Sequence, residues 1–263
     1  MEILAKYSDK GTIRKRNEDV VECLSHPKDK NINLLVLCDG MGGKEKGEVA
    51  ASICVESIIK WFNNKDVKSL NSNILVTSLV KRLIKRINTK IIKEYGENHI
   101  GTTLSMAIVN KKNTLIFNCG DSRVYTYKKT LEQVSEDDSD VWYYHKYGGV
   151  DKEDLRYFGT SNIINACIGI NKAFCRIQTY TIPNDYEYLL LFSDGVTDIL
   201  TDKKITKIIK SSKEEELIKN IVLESVYVDQ HLFVPSRLKK KYDTRYIVPF
   251  NGRDNSSGVV YKR

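Results

Sequence analysis

Leu34-Leu35-Val36-Leu37-Cys38-Asp39-Gly40 and Leu189-Leu190-Leu191-Phe192-Ser193-Asp194-Gly195 are two apolar runs that end in the same way. Each has the length of a buried strand. Each stops at an Asp-Gly pair, where Gly tolerates positive φ and Asp caps its own backbone. A third pair, Gly120-Asp121, closes the run 115–119. A lone Asp-Gly is a turn. Three carboxylates at the ends of apolar strands point to a shared cleft.

Outward from these runs, residues 3–7 and 20–24 read as further strands, separated by Asp9-Lys10-Gly11 and neighbouring polar segments. After Gly47 the period changes. Ala50, Ala51, Cys54, Val55, Ile58, Ile59 and Phe62 fall at helical spacing, and Val76, Val80, Ile84, Ile87 and Ile91 mark a longer helix with Lys and Arg opposite. Strand signals return at 103–109, 115–119 and 123–127, the first two joined by a turn at 110–113. Residues 136–165 are polar and rich in Gly and Tyr, which predicts an irregular surface excursion. Strands at 177–182 and 188–192, helices at 199–209 and 214–226 and a last strand at 258–261 complete the chain. No linker or repeat divides it, so one domain over 1–263 is expected. Strands first, then helices, strands, helices and a final strand fit an α+β sandwich better than βαβ alternation.

Composition narrows the function. The 263 residues are 41% hydrophobic and 29% charged, with a net charge of +8, an ordinary soluble balance that favours anionic partners. No run of apolar residues is long enough for a membrane span, and the first residues show no secretory signal. Six cysteines lie scattered without a C-x-x-C pair, as in reduced core thiols of a cytoplasmic protein. His26, His99, His145 and His231 share no zinc-ligand spacing. Glu45 stands where a dinucleotide fingerprint needs its third Gly, and Gly47-Glu48 is no P-loop ending.

Glu18-Asp19 opens one strand, and Asp254-Asn255 precedes the last. If these carboxylates meet the three above, two of them about 4 Å apart repel by about 4 kcal/mol at an effective dielectric near 20. Cations would relieve that. An all-oxygen donor set selects Mg²⁺, Mn²⁺ or Ca²⁺ over zinc.

The string Arg14-Lys15-Arg16-Asn17-Glu18-Asp19 resembles the R-x-x-N-E-D motif of the metal-dependent protein phosphatases of the 2C type. So do Asp39-Gly40-Met41-Gly42-Gly43, Gly101-Thr102-Thr103, Gly120-Asp121-Ser122-Arg123, Ser193-Asp194-Gly195-Val196-Thr197-Asp198 and Asp254-Asn255, in the family's order. The resemblance implies a four-layer αββα sandwich of two antiparallel sheets flanked by helix pairs. It implies a bacterial-type, cytoplasmic Ser/Thr phosphatase using two Mn²⁺ or Mg²⁺ ions, with a hydroxide bridging them that attacks phosphorus in line.

Carried over residue by residue, Asp39 would bridge both metals and the Gly40 carbonyl would bind one. Asp194 and Asp254 would be ligands, and Glu18 and Asp19 would hold metal-bound waters. Asp121 would take part in a third, weaker site, with Asn255 in support. Arg14 would grip the substrate phosphate. Arg14, Asp39 and Asp194 are thus the expected catalytic set, the substrate a phosphoserine or phosphothreonine protein, and the upstream partner a Ser/Thr kinase. Each residue has a plainer alternative: Arg14 as a surface charge, Glu18 and Asp19 as strand-edge charges, Asp254 and Asp121 as turn residues, Thr102 and Thr103 as β-branched strand residues.

Two features depart from the pattern. Met41 stands where many eukaryotic members have a histidine, leaving the general acid unassigned. Residues 227–253 form an insert carrying Arg237, Lys239, Lys240, Lys241 and Arg245 among Phe233, Tyr242, Tyr246 and Phe250. That insert reads as a solvated loop, as a dock for an acidic partner, or as a nucleic-acid contact. Rival readings of the whole chain are an inactive scaffold and a binding protein acting through the insert.

Overall fold

β3 (Asp29–Gly42) sorts its own side chains. Leu34, Val36 and Cys38 face one way and Leu35 and Leu37 the other, as period-two alternation requires, and all are fully buried. The first set meets α1 (Gly47–Asn63) and α3 (Asn73–Tyr95) through Ala50, Cys54, Ile58, Val80, Ile84 and Ile91. The second set meets another sheet through Val124, Leu189, Leu191 and Val259. The far face of that sheet, with Tyr125, Leu190, Phe192 and Val260, packs on α6 (Asp202–Ser211) and α7 (Leu217–Tyr227). The order of layers is helix, sheet, sheet, helix. Central strands are covered on both faces, which is why they read as unbroken apolar runs.

The computed structural model describes residues 3–42, 46–159, 163–171, 175–227, 234–243 and 254–263. One sheet runs β2 (Asp19–His26), β3, β5 (Leu104–Val109), β6 (Asn113–Cys119) and β9 (Gln178–Pro183), with the short β4 (Ile100–Thr102) paired to the end of β3. The other runs β1 (Ile3–Asp9), β11 (Ser256–Lys262), β10 (Tyr188–Phe192), β7 (Arg123–Tyr127) and β8 (Leu131–Gln133). All pairings are antiparallel. The expected αββα sandwich is the fold. One turn of helix, α2 (Val67–Leu70), capped by the Asp66 carboxylate, leads into α3. All six cysteines are free, and burial pushes the Cys167 thiol up to about 12 and the Cys175 thiol to about 11, as inert core thiols require.

Two expectations need correction. The segment 136–165 is not irregular throughout. It forms α4 (Asp140–Gly148), capped by Ser139 and closed by Gly149 at φ 68°, then a 3-10 turn at Lys152–Tyr157. Val141, Val150, Leu155 and Phe158 build a small core beneath this flap. Four apolar residues spread among polar ones give too weak a period to see in the sequence.

Residues 234–243 of the insert are also more than a solvated loop. They form α8 (Ser236–Lys241), which buries Leu238 in the core under the second sheet. Arg237 grips the buried Asp154 of the flap at 2.6 and 3.1 Å, Lys241 pairs with Asp151 at 2.6 Å, and the Tyr242 hydroxyl donates to Asp154 at 3.2 Å. These cations serve the flap in cis. Phe233, Arg245, Tyr246 and Phe250 lie outside the described residues.

Candidate active site

The site begins where β2 and β3 come to their ends. Their register places Asp19 opposite Asp39, and the Gly40 N–H donates to the Glu18 carbonyl at 3.1 Å. Asp39 is held by its backbone from the neighbouring strands. Its N–H donates to Thr103 Oγ1 at 3.0 Å, and its carbonyl accepts from Thr102 Oγ1 at 3.0 Å and the Thr103 N–H at 2.8 Å. Thr103 in turn bonds Ser122 Oγ at 2.8 Å. The two threonines are thus positioning residues for Asp39, a role that β-branched strand composition does not reveal. Gly40 is required by close approach: a Cβ there would stand 2.3 Å from the Gly47 carbonyl oxygen. Glu18 Oε1 accepts from the Gly47 N–H at 2.7 Å, so its carboxylate caps the start of α1, where the helix dipole favours an anion.

Chain segments far apart in sequence close the other walls. Asn255, buried just before β11, accepts from the Glu18 N–H at 2.8 Å and donates to the Lys10 and Arg16 carbonyls, each at 2.9 Å. This fastens the loop that carries Arg14, whose guanidinium meets Asp254 at 2.5 Å. Ser193 Oγ donates to Asp19 at 2.9 Å and accepts from the Ser257 N–H at 3.0 Å. Asp194 follows as the first residue of the single turn α5 (Asp194–Thr197). Asp121 enters through the β6–β7 turn, where Gly120 adopts φ 101° with its Cα face against Thr103.

The result is a cleft of about 220 Å³ lined by Arg14, Glu18, Asp39, Gly40, Asp121, Asp194 and Asp254. Seven of the nine residues expected at the site line it. Asn255 stands behind as the fastener, and Asp19 is buried beside Asp39. Met41 lines the same cleft.

Electrostatically the cleft is over-acidic. Burial first, then the charges of Asp19, Asp194, Asp121 and Asp254, holds the Asp39 carboxyl well above the usual range. Burial, then Asp121, Asp254 and Asp198, does the same to Asp194. Burial pushes Asp121 up to about 7, and burial against three hydrogen bonds leaves Asp19 at about 6. Asp19 Oδ1 and Asp194 Oδ1 are buried without a hydrogen-bond partner. Among the described residues no three such side chains are yet drawn around one point closely enough to hold a metal. The oxygen-only donor set and the orphaned oxygens fit hard divalent cations.

Asp198 closes the Ser193–Asp198 motif, and its position in the sequence alone gives it no role. It shares a small hollow with Asp121, Asp194, Arg123 and Asp137, under the flap, and burial pushes it up to about 6. Arg123 clasps Asp137 with both Nε and Nη2, at 2.7 to 3.0 Å, and both are buried. An arginine followed by a carboxylate fourteen residues on has no local spacing to betray the pair.

The sequence profile of the family described as protein phosphatase 2C matches residues 14–216. The chain belongs to the protein phosphatase 2C family. The serine/threonine phosphatase stp of Listeria welshimeri is 31% identical over 224 residues, covering 78% of this chain and 82% of that protein. The crystal structure of the phosphatase Stp1 from Staphylococcus aureus superposes with a TM-score of 0.81 at 26% identity, over 100% of this chain and 95% of that one. The catalytic domain of the phosphatase PstP, in a structure with two manganese ions, shares the fold at 21% identity and a TM-score of 0.74, over 99% and 97% of the two chains. The protein phosphatase 2C match takes in Arg14, Asp39, Asp121 and Asp194 and stops short of Asp254 and Asn255. Those two reach the cleft through the end of β11 and the bonds of Asn255.

Proposed function

We propose that this chain is a Ser/Thr protein phosphatase dependent on two Mn²⁺ or Mg²⁺ ions, acting as one catalytic domain over its whole length. The observation that carries the reading is the convergence of Arg14, Asp39, Asp194 and Asp254, from four separate segments, on one over-acidic cleft. Asp39, the Gly40 carbonyl, Asp194 and Asp254 would hold the two ions, with Glu18 and Asp19 toward their waters and Asp121 in a third, weaker site. Such ions acidify bound water and neutralise phosphate charge.

The chain's own residues do the rest. Arg14 presents a planar fork with five donors, so one edge can stay on Asp254 while the other takes two phosphate oxygens. Thr102 and Thr103 keep Asp39 in register with Asp19. Met41 offers no titratable proton at the cleft, so the general acid is not the side chain at this position, and a water in the cleft would supply the proton to the leaving alkoxide. Partner Ser/Thr kinases would supply the phosphoproteins, and a cytoplasmic setting accords with the free thiols. Among the described residues no helix is long and apolar enough to cross a membrane.

The test is phosphate release from a phosphothreonine peptide with Mn²⁺, with EDTA, and with Asp39→Asn. Metal-dependent release that the variant lacks by at least about a thousandfold, a loss of about 4 kcal/mol in transition-state stabilisation, supports the reading. Near-normal turnover in Asp39→Asn overturns the two-metal assignment. A folded, Mn²⁺-supplied protein without activity makes the chain an inactive scaffold.

A further inference from the structure

The surplus positive charge of this chain is not spread evenly. On α3, Lys81, Arg82, Lys85, Arg86, Lys90 and Lys93 are all exposed, against the single carboxylate Glu94. They lie on the side opposite Val80, Ile84, Ile87 and Ile91, which are buried in the core. The helix is roughly 34 Å long, so this is an extended cationic face rather than a point charge. Beside it opens a cavity of about 450 Å³, away from the catalytic cleft. Among the described residues Lys81, Lys85 and Arg176 line it together with the half-buried Cys175 and Ile177, and no carboxylate does.

We propose that this face of α3 and its cavity form a docking site for an acidic protein segment carrying one apolar side chain. Charge complementarity selects the acidic partner, because three exposed cations around one cavity meet carboxylates without an internal competitor in the lining. The half-buried Cys175 and Ile177 of the lining, in a cavity roomy enough for a ring, favour an apolar side chain such as Phe or Leu between those carboxylates. A nucleic acid fits less well, since no aromatic ring on the exposed side of α3 offers a base a stacking surface. An anionic membrane fits less well too, because the apolar side of α3 is already spent on the core. Asn88 at the inner wall is buried and tied to the backbone: it accepts from the Gly169 N–H at 2.6 Å and donates to the Ile170 carbonyl at 3.1 Å.

The test reads binding by the whole chain, without turnover, so its failure leaves the phosphatase reading untouched. The probe is a fluorescein-labelled peptide of alternating Glu and Asp with Phe at its centre, followed by anisotropy at rising salt. Binding should weaken with salt. The triple variant Lys81→Glu/Lys85→Glu/Arg176→Glu should lose at least about tenfold in affinity, while Lys203→Glu/Lys207→Glu/Lys210→Glu, the same charge change on α6, should lose little. Replacing the central Phe of the peptide by Gly should cost at least about fivefold. No binding of the peptide overturns the proposal, as does an equal loss in both triple variants, which would mean unspecific charge attraction. Indifference to Phe removes the cavity from it. A single-stranded oligonucleotide that binds more tightly than the peptide, and loses to the α3 variant, would make this a nucleic-acid surface instead.

Discussion

At the scale of the residue, the carboxylates of the cleft depend on neighbours that carry no charge. Thr103 Oγ1 links the Asp39 N–H to Ser122 in a buried chain of hydrogen bonds. Thr103→Val keeps the shape and removes both bonds, so the Asp39 N–H and the Ser122 hydroxyl lose their partner. The expected cost is about 1–3 kcal/mol in unfolding free energy. It should come with a rise in the Mn²⁺ concentration needed for half-maximal activity, whereas Thr130→Val on the β7–β8 turn should move neither. Denaturant melts and a metal titration check this; an unchanged metal requirement would reduce Thr103 to a packing residue. The carboxylates themselves were legible, because each ends an apolar run or opens one at a motif position. The threonines, Ser193 and Ser257 were not, because a hydroxyl one strand away leaves no periodic trace.

At the scale of the element, the flap and α8 form a clasp. Asp154 is fully buried, and Arg237 and Tyr242 are the side chains that satisfy it. Arg237→Ala leaves a buried carboxylate with only the tyrosine hydroxyl, at a cost of about 1–3 kcal/mol. Arg237 is half exposed, so solvent repays part of the lost charge pairing. Hydrogen exchange should quicken across residues 140–158 while β3 and β10 keep their protection, and that contrast is the measurement. Uniformly faster exchange would mean that α8 stabilises the whole fold rather than the flap. The strands and the long helices could be read from period alone. The flap could not, since its order comes from a four-residue core and from ion pairs to a helix some ninety positions away in the chain.

At the scale of the whole molecule, the site makes stability depend on pH in an unusual sense. Asp19, Asp121 and Asp198, at about 6, 7 and 6, and Asp39 and Asp194, higher than the usual range, all bind protons more tightly folded than unfolded. The contribution of Asp19, Asp121 and Asp198 is complete below the unfolded value near 4 and is lost as pH rises through 6 to 7, and Asp39 and Asp194 act in the same direction. The lowered carboxyls of Asp29, Asp66, Asp151 and Asp185 act the other way, but only at more acid pH. In EDTA the melting temperature should therefore fall between about pH 5 and about pH 8, and saturating Mn²⁺ should abolish or reverse the fall. A melting temperature that rises over that range in EDTA would show that the carboxylates do not share one field.

Arg14 and Asp254, which touch across the cleft, stand 240 positions apart. A ribosome adding 5–20 residues per second needs about 12–50 s to travel from one to the other. Late in that interval the nascent chain holds its first strands and most of its acidic residues but neither β11 nor the asparagine that ties down the arginine loop. On the role proposed for Asp254, a nascent chain stays silent at least until that residue has been translated, and a chain cut before it, which also lacks β11, should release no phosphate.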